Sequence, residues 1–167
     1  MLKNTGTNSE SFMDKRLHYE PLVESLTNAF RNRLKSVVLF GSQARSKKVL
    51  QRDHDIFVVL EDLPKNPLQR LKEIRKPVMY VPLRINFIAK TPEEVESNLT
   101  PLLLEICVDG LCLFGESYFE SYRKRGLRAL KQSGLKRNRM GREWYWQFEK
   151  FPKKEWELTW DGFRELE

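Results

Sequence analysis

Val37-Val38-Leu39-Phe40-Gly41-Ser42-Gln43-Ala44-Arg45, followed further on by Asp53-His54-Asp55-Ile56-Phe57-Val58-Val59, is the stretch that decides the fold. A β-rich apolar run ends at Gly41, where the missing Cβ lets the backbone turn sharply and approach a phosphate. Ser42 adds a hydroxyl donor, and Gln43-Ala44-Arg45 reads as the start of a helix whose free N–H groups face an anion. Ten residues separate Ser42 from Asp53. Asp53 and Asp55 then stand at i and i+2 at the entry to a second β-rich run, so strand alternation puts both on one face, about 7 Å apart. Two converging carboxylates beside a phosphate cradle suit Mg²⁺, which keeps several waters and shares the phosphate oxygens of a substrate. Alone, the Asp pair also reads as a solvated strand entry; the Gly-Ser turn ahead of it favours a nucleotide or metal site.

Outward from this stretch, helices and strands alternate. Apolar residues from Leu17 through Leu22, Val23, Leu26, Ala29, Phe30 and Leu34 recur at helical spacing, and Ser36 to Phe40 reads as the first strand. Asn66-Pro67 opens a helix through Leu68, Leu71 and Ile74, and a strand is expected from about Leu83 to Ala89. Thr91-Pro92-Glu93-Glu94 has the form of a helix start, with a capping Thr, Pro at the first position and acids near the positive helix end. A helix over Leu102 to Val108, a turn at Asp109-Gly110 and a short strand at Leu111 to Phe114 follow. Beyond Gly115 an amphipathic helix, weakened by Gly126, runs to Ser133-Gly134. Lys136 to Met140 and Glu143 to Phe148 then flank Gly141-Arg142 as a β-hairpin. The tail from Phe151 holds Trp156, Trp160 and Phe163 and is expected to fold back on the body. The expected organisation is a loose arm over residues 1–13, a main domain over 14–115 and a basic, aromatic extension over 116–167 packed on the same body.

The 167 residues suffice for one ordinary domain with a small appendage. No apolar run approaches the roughly 18 residues of a membrane span, and the N-terminus lacks the apolar core of a secretory signal, so the expected compartment is the cytoplasm. Cys107 and Cys112 are the only cysteines, too few for a disulfide framework and wrongly spaced for a paired-thiolate metal site. They read as buried thiols.

The GSQAR segment at residues 41–45 and the DHDIFVV segment at 53–59 resemble the nucleotidyltransferase superfamily of DNA polymerase beta. The likeness is greatest to its minimal, stand-alone archaeal-type members, and it extends over most of residues 15–115. It implies an α+β nucleotidyltransferase fold: a mixed central sheet covered by helices, here with a C-terminal helix and hairpin added. It also implies an Mg²⁺-dependent enzyme that transfers a nucleoside monophosphate from an NTP, such as ATP, to a hydroxyl of RNA, a protein or a small molecule. Gly41 and Ser42 would hold the β- and γ-phosphates, and Asp53 and Asp55 would be the catalytic metal ligands. Arg45 would either clamp phosphate or cap its own loop. Members of the family carry a third carboxylate on a later strand. The position aligned with it here is Asn86, a degraded third ligand that is neutral and cannot accept the hydroxyl proton. Glu61 cannot replace it, lying about 20 Å along the strand from Asp55. Minimal members often work beside a separate helical protein. A helical toxin-like partner is therefore implied, with this chain acting as an antitoxin-like binding protein if catalysis is weak.

The charge is uneven. Net charge is +7, yet residues 121–142 hold nine Lys or Arg and no acid, and taking nine from +7 leaves −2 for the rest. Arg137, Arg139 and Arg142 lie on the expected hairpin and are candidates for binding a polyanion such as RNA or DNA; a solvated face is the alternative. Trp144, Tyr145 and Trp146 either supply a stacking surface or, by strand alternation, turn the tryptophans inward and the tyrosine outward. His54, between the two aspartates, points to the opposite face and reads as structural.

Overall fold

Strand alternation in the two apolar runs builds a sheet with a core on each face. The computed structural model describes residues 15–47, 49, 51–141 and 143–167; the expected arm at 1–13 and Arg142 lie outside the described residues. A helical turn at 15–18 leads into α1 (Glu20–Phe30) and a 3₁₀ turn, Arg31–Arg33. Then come β1 (Leu34–Phe40), α2 (Gly41–Arg45), β2 (His54–Leu60), α3 (Pro67–Arg75), β3 (Ile85–Lys90), α4 (Pro92–Ser97), α5 (Pro101–Asp109) and β4 (Leu111–Phe114). The rest comprises α6 (Glu116–Ser133), β5 (Leu135–Met140), β6 (Glu143–Phe148), β7 (Trp156–Thr159) and β8 (Gly162–Glu165). The central sheet has the order β3-β2-β1-β4. β1 runs antiparallel to β2 and β4, and β2 runs parallel to β3, so the sheet is mixed.

Val37 and Leu39 of β1, with Ile56, Val58 and Leu60 of β2, meet Leu22, Leu26 and Phe30 of α1 and Ile74 of α3 on one face. Val38 and Phe40, with Phe57 and Val59, meet Val95 of α4, Leu103, Ile106 and Cys107 of α5, and Phe119 and Ala129 of α6 on the other. Each such side chain, fully buried, contributes about 1.5–3 kcal/mol, which is why both strands are apolar at nearly every position.

Helix starts follow the sequence signals. Asn66 Oδ1 accepts from the N–H groups of Leu68 and Gln69. Thr91 and Glu94 cap each other reciprocally at α4, a pairing reinforced where Arg70 of α3 donates to both Glu94 oxygens at 2.8 and 2.9 Å.

Three local expectations are corrected, and the tail folds back on the body as expected. Leu34 belongs to β1 rather than to the first helix, because Arg31, at φ 46°, breaks the helix and the 3₁₀ turn re-aims the chain. β3 starts at Ile85, where pairing with His54 begins, and not at Leu83. The tail forms a hairpin of its own, β7–β8, whose turn buries Trp160; the indole donates to the Val95 carbonyl at 2.7 Å. Gly126 is not simply a weak point of α6. A Cβ there would stand 2.7 Å from Cys107 Sγ, so the glycine lets α6 lie close on α5. Both thiols are buried, which pushes Cys107 up to about 12 and Cys112 up to about 11. Among the described residues no helix is long and apolar enough to cross a membrane.

Candidate active site

The β1–β2 register places Phe40 opposite Asp55, so the turn that follows β1 sits beside the carboxylate at the start of β2. Gly41 has φ +70°, a conformation that favours glycine. An added Cβ at this residue would lie 2.5 Å from Asp55 Oδ2 and 3.4 Å from its Cγ. The Asp55 carboxylate therefore fills the space above Gly41, and no side chain fits there. Ser42 follows, half-buried, on a five-residue helix whose Gln43 and Ala44 are buried.

Asp53 lies one residue ahead of β2, half-exposed, and pairs with Arg84 Nε at 3.2 Å. Asp55 pairs across the parallel ladder with Asn86, whose Nδ2 donates to Asp55 Oδ1 at 3.3 Å. Asn86 is thus the β3 residue nearest the Asp55 carboxylate, and it contributes an amide rather than a third charge. Among the described residues no group of three or more His, Cys, Asp or Glu side chains gathers. Hard carboxylate oxygens on two neighbouring residues, with the remaining positions left to water and substrate phosphate, is the division of ligands that suits Mg²⁺.

His54 faces the other side of β2, as alternation requires. It is 4% exposed, and a hydrogen bond of 2.7 Å joins its Nδ1 to the Tyr19 hydroxyl. Burial and the nearby His18 ring hold the imidazole below its ordinary range, against the opposing pull of Asp53 and Asp55. Burial pushes the Tyr19 phenol up to about 12, so it stays protonated. Lys15, 3% exposed, reaches α2 from the same segment and donates to the carbonyls of Gln43 (2.5 Å), Ala44 (3.5 Å) and Ser46.

Arg45 sits at the far end of α2 from Gly41. Its guanidinium donates to Asp109 Oδ2 at 3.3 Å and stands 5.8 Å from the Trp144 ring. Asp109 also binds Arg137, through Nη2 to Oδ1 at 3.0 Å and through Nη1 to Oδ2. Arg137 stacks on Trp144 at 4.4 Å, and Arg139 approaches the same ring at 5.6 Å. The residues assigned from sequence to phosphate (Arg45) and to a polyanion (Arg137, Arg139) thus converge on one carboxylate and one indole. This junction fastens the β5–β6 hairpin to α2 and α5.

The basic block also has more local partners than its sequence shows. Arg123 meets Glu120, Arg125 meets Glu96 and Asp161, and Lys136 meets Glu149. Trp146 packs on the core and Trp144 lies under the arginines, while Tyr145 faces outward, 43% exposed.

Lys15, Tyr19, Arg84 and Asp109 were not legible as site residues. Only Tyr19 carries a signal, since Tyr19, Leu22 and Leu26 recur at helical spacing. The other three act through contacts distant in sequence.

No curated protein matches the chain. Solved structures similar to it include a toxin–antitoxin complex with AMP-PNP, at 18% identity and TM-score 0.49, covering 64% of this chain and 82% of that chain. The MntA–HepT toxin–antitoxin is similar at 18% identity and TM-score 0.48, covering 67% of this chain and 83% of that one. So is a tri-AMPylated Shewanella oneidensis HEPN toxin in complex with MNT antitoxin, at 18% identity, TM-score 0.48 and coverage of 68% and 83%. A family model for the nucleotidyltransferase domain matches residues 23–110, from α1 through the Gly41 turn, the Asp53–Asp55 pair and Asn86 to the end of α5. With that match over more than half its length, the chain belongs to the nucleotidyltransferase domain family, whose chemistry is nucleotidyl transfer.

Proposed function

We propose that the chain is an Mg²⁺-dependent nucleotidyltransferase that moves a nucleoside monophosphate from an NTP, such as ATP, to a hydroxyl. In this reading Gly41 and Ser42 hold the β- and γ-phosphates through backbone N–H groups, and Asp53 and Asp55 are the metal ligands. One observation carries it: the Asp55 carboxylate lies directly over a glycine held at positive φ. A triphosphate approaching the Gly41 backbone would meet that carboxylate only with a cation between them. Bound Mg²⁺ would neutralise charge on the transferred group. The acceptor oxygen attacks the α-phosphorus, the bond to the bridging oxygen breaks, and pyrophosphate leaves.

Asn86 bears on rate. It cannot take the hydroxyl proton, which must pass to solvent, and a general base ordinarily contributes 10²- to 10⁴-fold, about 3–5 kcal/mol of barrier. Its hydrogen bond to Asp55 favours, as a second reading, a nucleotide-binding protein of slow turnover that acts through a partner, antitoxin-like. For the acceptor side, Lys124, Arg128 and Lys131 support an anionic partner such as RNA. They are spaced i, i+4 and i+7 on the outward face of α6, all exposed and without an acidic partner among the described residues. Residues 116–167 would then be an extension that carries the acceptor contact.

The test uses labelled NTPs, Mg²⁺ and cellular RNA and protein with the purified chain. Label should move to an acceptor, and Asp53→Asn/Asp55→Asn should abolish both transfer and Mg²⁺-dependent NTP binding. Equal NTP affinity in the double variant overturns the site. Asn86→Asp should raise transfer or tighten a second Mg²⁺; no change in either means that residue 86 is not the third-ligand position.

A further inference from the structure

The two halves of the candidate site sit on different elements. The glycine turn begins α2, and the carboxylates begin β2. The segment just ahead of α1 touches both. Lys15 Nζ donates to the carbonyls of Gln43, Ala44 and Ser46, and Tyr19 hydrogen-bonds His54, the residue between Asp53 and Asp55. Both side chains are buried, Lys15 at 3% and Tyr19 at 0% exposure.

α2 has five residues, too few to satisfy its own carbonyls: the last four C=O groups of any helix lack an internal partner. A single ammonium with three donors meets that need from outside the helix. The same end of α2 carries a backbone bond from Ser46 N–H to the Ser42 carbonyl at 3.1 Å and the Arg45–Asp109 pair at 3.3 Å, but Lys15 is the contact that ties it to the segment ahead of α1. On the β2 side, the backbone N–H of His54 donates to the Arg84 carbonyl at 2.8 Å, so the strand entry is held from β3 as well. The Tyr19 contact adds the restraint from the opposite face of the sheet. Burying an ammonium with no carboxylate among its described partners is costly. That cost is offset only where all three donors are used, so the position of the ammonium is set by the α2 carbonyls it meets.

We infer that Lys15 and Tyr19 are positioning residues, a clasp that fixes the Gly41 turn of α2 relative to the Asp53–Asp55 pair so that phosphate and metal ligands meet in one geometry. The inference rests on the nucleotidyltransferase reading of the site. It assigns Lys15 to the phosphate side and Tyr19 to the carboxylate side. Sites of this kind need their contacting groups held within about 0.5 Å by surrounding residues, so loosening either contact costs function before it costs the fold.

Binding, rather than turnover, tests it. A fluorescent ATP analogue is titrated into the full chain at several Mg²⁺ concentrations, for wild type, Lys15→Met, Lys15→Arg and Tyr19→Phe, with a urea melt of each. Lys15→Met should weaken nucleotide binding roughly tenfold, as expected for lost hydrogen bonds from a charged donor, and Lys15→Arg should recover much of it. Tyr19→Phe, which keeps the ring and its packing, should raise the Mg²⁺ needed for half-saturation and change affinity at saturating Mg²⁺ far less. Variants that lose urea stability but bind nucleotide and Mg²⁺ as wild type does would make the contacts structural only and overturn the inference. If Lys15→Met does not fold, Tyr19→Phe and Lys15→Arg decide the matter by the same readout. Wild type that binds no nucleotide at any Mg²⁺ concentration instead overturns the reading of the site itself.

Discussion

Asp55 Oδ2 lies 2.5 Å from the point where a side chain at residue 41 would begin, so the carboxylate and Gly41 share one space. Gly41→Ala must therefore displace Asp55 or unwind a backbone held at φ +70°. The strain of such a conformation for an L side chain is about 1–2 kcal/mol, well within what a domain of this size survives. The expected outcome is a folded protein whose Mg²⁺-dependent NTP binding is lost or cut more than tenfold. Circular dichroism and nucleotide titration check the two halves, and wild-type binding by Gly41→Ala would remove Gly41 from the site.

The sequence already shows this part of the molecule because the relevant contacts are local. Val37 to Phe40 and Ile56 to Val59 each declare a strand as a short apolar run, with Gly41 ending the first and Asp53 and Asp55 opening the second, while the antiparallel register that joins them comes from the fold. Asn86 was marked only by the family resemblance, which aligned it with the third carboxylate; its place opposite Asp55 comes from the parallel pairing of β3 with β2. Lys15 and Asp109 were not, because a lysine in a polar stretch and an aspartate before a glycine look like solvent-facing residues until the chain is folded. Four of the nine cations of the basic block, Arg123, Arg125, Lys136 and Arg137, were hidden pairs for the same reason. Their acids, Glu96, Asp109, Glu120, Glu149 and Asp161, lie outside the block, and most are brought to it by the fold.

Gly126 gives a packing prediction opposite in sign to helix propensity. In an exposed helix, Gly→Ala stabilises by roughly 1 kcal/mol. Here the new methyl would stand 2.7 Å from Cys107 Sγ and 3.3 Å from the Trp160 ring, and overpacking of that kind costs about 1–3 kcal/mol. Gly126→Ala should therefore lower the melting temperature by about 2–4 °C. Adding Cys107→Ala, which removes the sulfur, should return part of the loss. A rise in the melting temperature of the single variant would mean that α6 and α5 are not in close contact.

Glu94 gives the pH prediction. Hydrogen bonds from the Arg70 guanidinium hold its carboxyl below the ordinary range, with a further contribution from the Thr91 N–H. A carboxyl lowered in the folded state binds fewer protons there than in the unfolded chain, so its stabilisation is present above the unfolded value of 4.5 and is lost as pH falls through the folded value. Glu94→Gln keeps the acceptor for Thr91 but removes the charge. Melting temperatures of wild type and Glu94→Gln should differ at pH 7 and converge below the folded value. A constant difference across the whole range would mean that the Arg70 pair contributes nothing ionic.

The outward face of α6 decides the acceptor side. Lys124, Arg128 and Lys131 span seven residues of helix, about 10 Å, a length that reaches two or three phosphates of a single strand. Three such contacts predict a slope of about −2 in log affinity against log salt, hence a loss of more than tenfold between 50 and 200 mM. Lys124→Glu/Arg128→Glu/Lys131→Glu should flatten that slope and weaken binding to a single-stranded RNA oligonucleotide. NTP titration of the same variant should match wild type, since screening limits the reach of surface charge to about 8–10 Å. Arg137→Glu is a poor substitute for this test, because it would break the Asp109 pair and loosen the hairpin from α5. If wild type ignores RNA even at low salt, the stripe is a solvated face and the acceptor must be sought among proteins or small molecules. If it binds RNA with a slope that the triple variant leaves unchanged, the contact lies elsewhere on the basic surface, with Arg139 the next residue to reverse.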